Sequence, residues 1–186
     1  MDRLRRDVIL IRLIEALRQR GSWCGETHVQ KAAYLLQEMT GVPMGFEFIL
    51  YKHGPFSFEL RDELSAMRAD GFVSLRVQNP DYGPSIVPEP AADALRKRFP
   101  KTLREHEPRV GFVAEQVSKR PVVELERFAT AFYVRQEMGA ETNPNAIAQR
   151  VHVLKSHISV EQALVAVRTV CSWAHEAASL RPGSQA

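Results

Sequence analysis

Residues 46–60 read FEFILYKHGPFSFEL, and this stretch constrains the fold more than any other. Phe46, Phe48 and Leu50 alternate with Glu47, Ile49 and Tyr51, the period of a part-buried strand. His53-Gly54-Pro55 then stops the strand. Gly54 can take backbone angles closed to other residues, and Pro55 fixes the next φ and suits a helix entry. Ser57 can cap a helix over residues 58–69, closed by Gly71 past its end. The expectation is a turn that redirects the chain from a strand into a helix within two residues. Turn chemistry alone accounts for both Gly54 and Pro55.

The flanking pattern is helical before this stretch and mixed after it. Residues 4–19 place Val8, Ile11 and Ile14, flanked by Leu10, Leu13 and Leu17, on one broad face that ends at Gly21. Thr27 is a good N-cap for a second helix over residues 29–39. After the third helix, FVSLRVQ reads as a strand, NPDYGP as a turn and SIVP as the return strand. A hairpin following a helix is the pattern of a wing. A short helix over residues 91–99 comes next. From Pro100 onward the chain reads as all helix, with segments at 109–119, 122–138, 144–154 and 160–180. The expected fold is mainly α (α+β). A winged-helix-like part with a small antiparallel sheet spans 1–99, a helical extension spans 100–180, and 181–186 form a frayed tail. Trp173, Phe128, Phe132 and Tyr133 are the expected core of the second part.

With 186 residues, 45% of them hydrophobic, the chain can bury a core for one medium domain or two small ones. The net charge of +3 is less positive than nucleic-acid domains usually carry. Two cysteines make no disulfide framework and point to a reduced, cytoplasmic setting. The first twenty residues are basic and then apolar, but Arg12 and Glu15 break the apolar run and no small-residue cleavage site follows. They read as a helix of the folded domain. No apolar run reaches the length of a membrane span.

Three segments, THVQKAAYLLQE, FEFILYKHGPFSFELRDELSAMRADGFV and LKSHISVEQAL, carry a resemblance in this order. They resemble the Panacea-type domain of SocA-like antitoxins and the related YwgA-like proteins. Gln30, Lys31, Tyr34, His53, Gly54, Pro55, Leu60 and Leu64 match the group's pattern. Lys155-Ser156-His157 is similar to its K-P-H, with Ser156 in place of proline, and Val29 stands where the pattern has leucine. The resemblance covers the first half well and the last third loosely. It implies a winged-helix-like core with a helical extension that neutralises or positions a toxin or effector protein. On that reading His53, Gly54, Pro55, Phe56 and Phe58 form a partner-binding surface, while Gln30, Lys31, Tyr34, Lys155 and His157 are motif residues of the scaffold.

Other chemistries weigh less. The helix over residues 58–70 carries Arg61 and Arg68 against Glu59, Asp62, Glu63 and Asp70, so it would bring carboxylates toward phosphates. A DNA-binding regulator would have to use Arg3, Arg5, Arg6, Arg12, Arg18 and Arg20, with Lys31 behind, and a solvated helix face is the commoner reading of such a cluster. Cys24 and His28, like Cys171 and His175, are four apart and together could suit tetrahedral zinc, but the halves are distant and lack tight pairs. No metal and no cofactor is expected. Glycine phosphate loops, G-x-S-x-G and H-E-x-x-H are missing. His53 with Ser57 lacks a third orienting group. Glu124, Glu126, Asp62 and Glu63 read as solubilising charge on exposed turns. The expectation is a non-enzymatic interaction module. A hydrolase or nuclease with scattered acids, and a homo-oligomer, stay open.

Overall fold

A computed structural model describes residues 1–77 and 83–181. The element order is α1 (Arg3–Gln19), α2 (Glu26–Glu38), β1 (Ile49–Tyr51), β2 (Gly54–Phe56), α3 (Phe58–Ala69), β3 (Val73–Arg76), β4 (Ser85–Pro88), α4 (Ala92–Arg98), α5 (Pro100–Val117), α6 (Val122–Met138), α7 (Pro144–Leu154) and α8 (Val160–Ala178). The protein is mainly helical, with two small antiparallel sheets, β1–β2 and β3–β4. Most of the expected turn NPDYGP, and all of the expected tail beyond residue 181, lie outside the described residues.

α1 is the central helix. Val8 to Ile11, Leu13, Ile14, Ala16 and Leu17 are all buried, so the helix is apolar nearly all round rather than on one face. α2, α4, α5 and β4 pack around it. Asp2 caps its start by accepting the Arg5 N–H. Ser57 caps α3 in the same way through the Leu60 N–H, and Leu60, Leu64 and Met67 of α3 are buried, as the sequence predicts. The expected cap at Thr27 is wrong: α2 starts earlier, after Gly25, and Thr27 lies within its first turn.

The β3–β4 hairpin pairs Val73 with Pro88 through Arg76 with Ser85. It is tied to the end of α1 and to the segment after it because Arg18 donates to Ser85 Oγ at 2.6 Å and the Ile86 N–H donates to the Cys24 carbonyl at 2.9 Å. Past residue 100 the expected helix 109–119 is too short. α5 begins at Pro100, where a missing N–H costs nothing, and runs through Pro108. Pro108 lies on the exposed side, where water can serve the carbonyl of Arg104 that it leaves unbonded. α6, α7 and α8 pack against one another, with the ring centroids of Phe128 and Trp173 4.9 Å apart and the Arg120 guanidinium over both rings. Among the described residues no helix is long and apolar enough to cross a membrane.

Candidate functional site

The strand at residues 46–51 is shorter than its alternation predicts, and it has a partner that the sequence hid. Burial alternates from Phe46 to Tyr51, but only Ile49–Tyr51 enter a ladder. Ile49 pairs with Phe56, Leu50 with Pro55 and Tyr51 with Gly54. The turn is therefore Lys52-His53, and Gly54-Pro55 opens the return strand instead of entering a helix. Gly54 has φ +83°, and a Cβ there would lie 2.8 Å from Thr130 Oγ1 of α6. It is needed for both its backbone angle and its close approach. Pro55 has no N–H, and it is tolerated opposite Leu50 at the border of a two-stranded sheet.

Two helices and one loop hold this hairpin from beneath. From α2, the Gln30 side chain reads the Ser57 backbone both ways: its Oε1 accepts the Ser57 N–H at 3.0 Å and its Nε2 donates to the Ser57 carbonyl at 2.9 Å. One position on, Lys31 Nζ donates to the Pro55 carbonyl at 2.8 Å. Lys31 is fully buried. Burial, seconded by the nearby Lys155 charge, brings its ammonium down to about 8, against the opposing pull of Glu126. Tyr34, one turn further, donates to Gln136 Oε1 of α6 at 2.6 Å and packs edge-on against Phe48 and Phe132; burial raises its phenol well above the usual range. From the loop between α7 and α8, Lys155 Nζ donates to the carbonyls of both Tyr51 and Lys52 at 2.5 Å.

At the centre sits Glu126 on α6, which the sequence reading placed on an exposed turn. Its side chain is only 8% exposed. His53 Nδ1 lies 3.6 Å from one carboxylate oxygen and His157 Nε2 lies 3.2 Å from the other. Both imidazoles reach solvent, and each is near enough to pair with the carboxylate when protonated. Glu126 Oε1 and Thr130 Oγ1 are buried with no hydrogen-bond partner among the described residues. The signal that could have found Glu126 is helical phase. It lies at i+4 from Val122 and i−3 from Ala129, so it interrupts an apolar stripe, as Thr130 does one turn later. Glu63, also read as a solubilising charge, is buried and takes Arg3 at 2.7 Å and Arg6 on its two oxygens.

All five motif residues, Gln30, Lys31, Tyr34, Lys155 and His157, thus converge on the hairpin or on the α6 face behind it. Of the five expected partner contacts, Gly54 and Pro55 lie buried, Phe56 is half-buried, and His53 and Phe58 reach the surface. Tyr51, Phe56 and Phe58 form one ring cluster with centroids 5.1 to 5.8 Å apart. Ile49, Tyr51 and Phe58 are each more than 40% exposed, and the Arg61 guanidinium lies 5.0 Å over Phe58.

The zinc quartet does not assemble. Cys24 is buried with its thiol against the Ile14 carbonyl, and burial pushes that thiol up to about 12. His28 Nε2 contacts the Val117 carbonyl at 3.0 Å, and burial lowers its basicity. Cys171 and His175 line a separate cavity with Arg135 and Arg181. Among the described residues no group of three or more His, Cys, Asp or Glu side chains could hold a metal ion.

The N-terminal arginines are largely occupied within the fold. Arg3 bonds Glu63 and Asp70, Arg12 grips both oxygens of Glu107 at 2.8 and 2.5 Å, and Arg18 holds Ser85. Arg20 donates to the Ala16 carbonyl of its own helix. Compared with protein-family models and with curated proteins, the chain matches none.

Proposed function

We propose that the chain is a non-enzymatic protein-interaction module, an antitoxin-like or defence-associated accessory subunit of the Panacea type. In this reading it works in the cytoplasm and binds a toxin or effector protein, which it neutralises or positions. The N-terminal part acts as a winged-helix-like scaffold, with β3–β4 as the wing. The observation that carries the reading is the partly exposed ring cluster of Tyr51, Phe56 and Phe58 where the β1–β2 hairpin meets α3, on a backbone anchored by Gln30, Lys31 and Lys155. Exposed aromatic anchors on a rigid base gain affinity because little conformational freedom is lost on docking. Gln30, Lys31 and Lys155 are spent on backbone groups of this segment, which suits a support. A DNA-binding role is disfavoured by the same economy: most of the arginines it would need already pair with acids or carbonyls.

The test is affinity co-purification from the native host with the full chain and with Phe58→Ser, whose exposed side chain can change without opening the core. The parent chain should recover a specific protein partner, and the variant should lose it by at least about tenfold while its melting temperature stays within a few degrees. Recovery of the same partner by both, or of none by the parent, would sink the reading. A salt-dependent shift of duplex DNA would favour the regulator instead.

A further inference from the structure

A cavity of about 390 Å³ lies between α2, α3 and the β3–β4 hairpin. Its size falls within the range of small-molecule sites. Leu64, Val73, Leu75, Ile86 and Val122 form its apolar walls. Leu75 and Val122 stay 39% and 45% exposed, so this apolar surface is not closed over by the fold. Polar groups line it from α3 and from the start of α2, where Glu26, Thr27 and His28 lie. Ser65, Arg61 and Arg68 come from successive turns of α3, and Glu26 is the only carboxylate among the lining residues. Arg61 is partly engaged by Asp62 at 3.4 Å and by the Phe58 ring. The Arg68 guanidinium makes no hydrogen bond, ion pair or ring contact with any described residue, unlike those of Arg3, Arg6, Arg12 and Arg18, which all find partners. An apolar chamber lined by a guanidinium that pairs with none of the described residues is complementary to a molecule with an apolar body and one anionic end.

We propose that this cleft is a binding site for a small monocarboxylate with a medium-length aliphatic or single-ring body, its carboxylate held at Arg68 and its apolar part lying on Leu64, Leu75 and Val122. The cleft adjoins the Tyr51–Phe56–Phe58 surface through Arg61, which lies over the Phe58 ring, but its ligand does not depend on the partner-binding reading. Neutral molecules of the same shape gain only the apolar contact, so the head group decides affinity.

Octanoate and octanol share the body and differ in the head, which makes them a matched pair of probes. Each is titrated into the isotope-labelled full chain, with the amides of Gly25, Ser65, Arg68 and Leu75 followed by NMR. Octanoate should give saturable shifts at these positions and bind at least about tenfold more tightly than octanol, the worth of a charge-assisted contact. Arg68→Gln, a change at an exposed position, should bring octanoate down to the affinity of octanol. Ser65→Trp, which fills the mouth, should abolish both. The proposal is overturned by absent or non-saturable shifts with octanoate, by equal affinities for the two probes, by an Arg68→Gln variant that keeps the preference, or by shifts that map away from the cleft. Loss of the protein partner on Phe58→Ser would leave these outcomes unchanged, so the two readings fail separately.

Discussion

Asp7 is a carboxylic acid set among the buried apolar residues of α1. It is wholly buried on α1 with neither carboxylate oxygen hydrogen-bonded among the described residues and the Arg3 guanidinium 3.7 Å away, while Glu63 beside it takes Arg3 and Arg6. Burial and the Glu63 charge push the Asp7 carboxyl up to about 7, whereas hydrogen bonds from Arg3 and Arg6 outweigh burial and hold Glu63 below the usual carboxylate value. The signs are opposite. Asp7 keeps its proton in the folded state over a range where the unfolded chain has lost it, so its contribution is present in acid and is lost as pH rises from about 4 to 7. The Glu63 contribution is present above its ordinary value and is lost only in stronger acid. Asp7→Asn should therefore be more stable than the parent above pH 7, by about 1–2 kcal/mol, with the gap shrinking toward pH 5. Urea denaturation at pH 5 and pH 8 measures it, and a gap that widens in acid contradicts the assignment. None of this pairing was legible in the sequence. The acids of α3 were read by their own helix alone, while their partners sit about sixty positions upstream. Ser57 was legible because a cap is a local matter, decided three residues away.

The hairpin β1–β2 shows where reading by element falls short. Gly54 was identified as conformationally special, and its φ is positive; what could not be read was the Thr130 hydroxyl behind it, since that comes from α6. The proline at position 55 hid β2 by suggesting a helix entry. The long helices α6 and α7 were legible to the residue because Pro121 and Pro144 mark their starts and sustained apolar spacing fills them. Two glycines separate backbone strain from crowding. Gly71 also has positive φ, but a Cβ there meets nothing within 4 Å. Gly71→Ala should cost about 1 kcal/mol for the left-handed angle, and Gly54→Ala about 2–4 kcal/mol because overpacking against α6 adds to it. Equal losses of melting temperature would show that the approach to Thr130 is loose. Removing the carboxylate behind the hairpin acts differently. Glu126→Ala leaves the buried Lys31 ammonium without its counter-charge and both imidazoles without a target. It should cost about 2–3 kcal/mol and speed amide hydrogen exchange at Ile49, Tyr51 and Phe56 more than in α1. Uniform acceleration across the chain would mean that Glu126 supports the core in general and not the hairpin.

At the scale of the molecule, the question is whether the first hundred residues and the rest act as one body. α5 begins at Pro100, yet its main packing partner is α1, and α2 packs against both α5 and α6. The buried side chains form one connected cluster that runs from Val8 on α1 to Ala177 on α8. Bonds of long reach cross the same boundary: Arg12 to Glu107, Tyr34 to Gln136, Lys155 to Tyr51 and Arg181 to the carbonyl of Met39. A division at residue 100 would cut through these contacts, so the two parts should lose structure together. The two tryptophans report on it without added labels. Trp23 sits in the loop before α2 with its indole N–H on the Gly83 carbonyl, and Trp173 lies in the α6–α8 interface against Phe128. In Trp23→Phe and Trp173→Phe chains the remaining indole follows unfolding of one part alone. Each curve should coincide, within about 0.2 M urea, with the far-ultraviolet dichroism of the same variant, which follows the eight helices of the described residues at once. If the Trp173 signal of the Trp23→Phe chain is lost well before or after the helical signal, the helical extension is a separate folding unit, and α5 belongs to only one of the two.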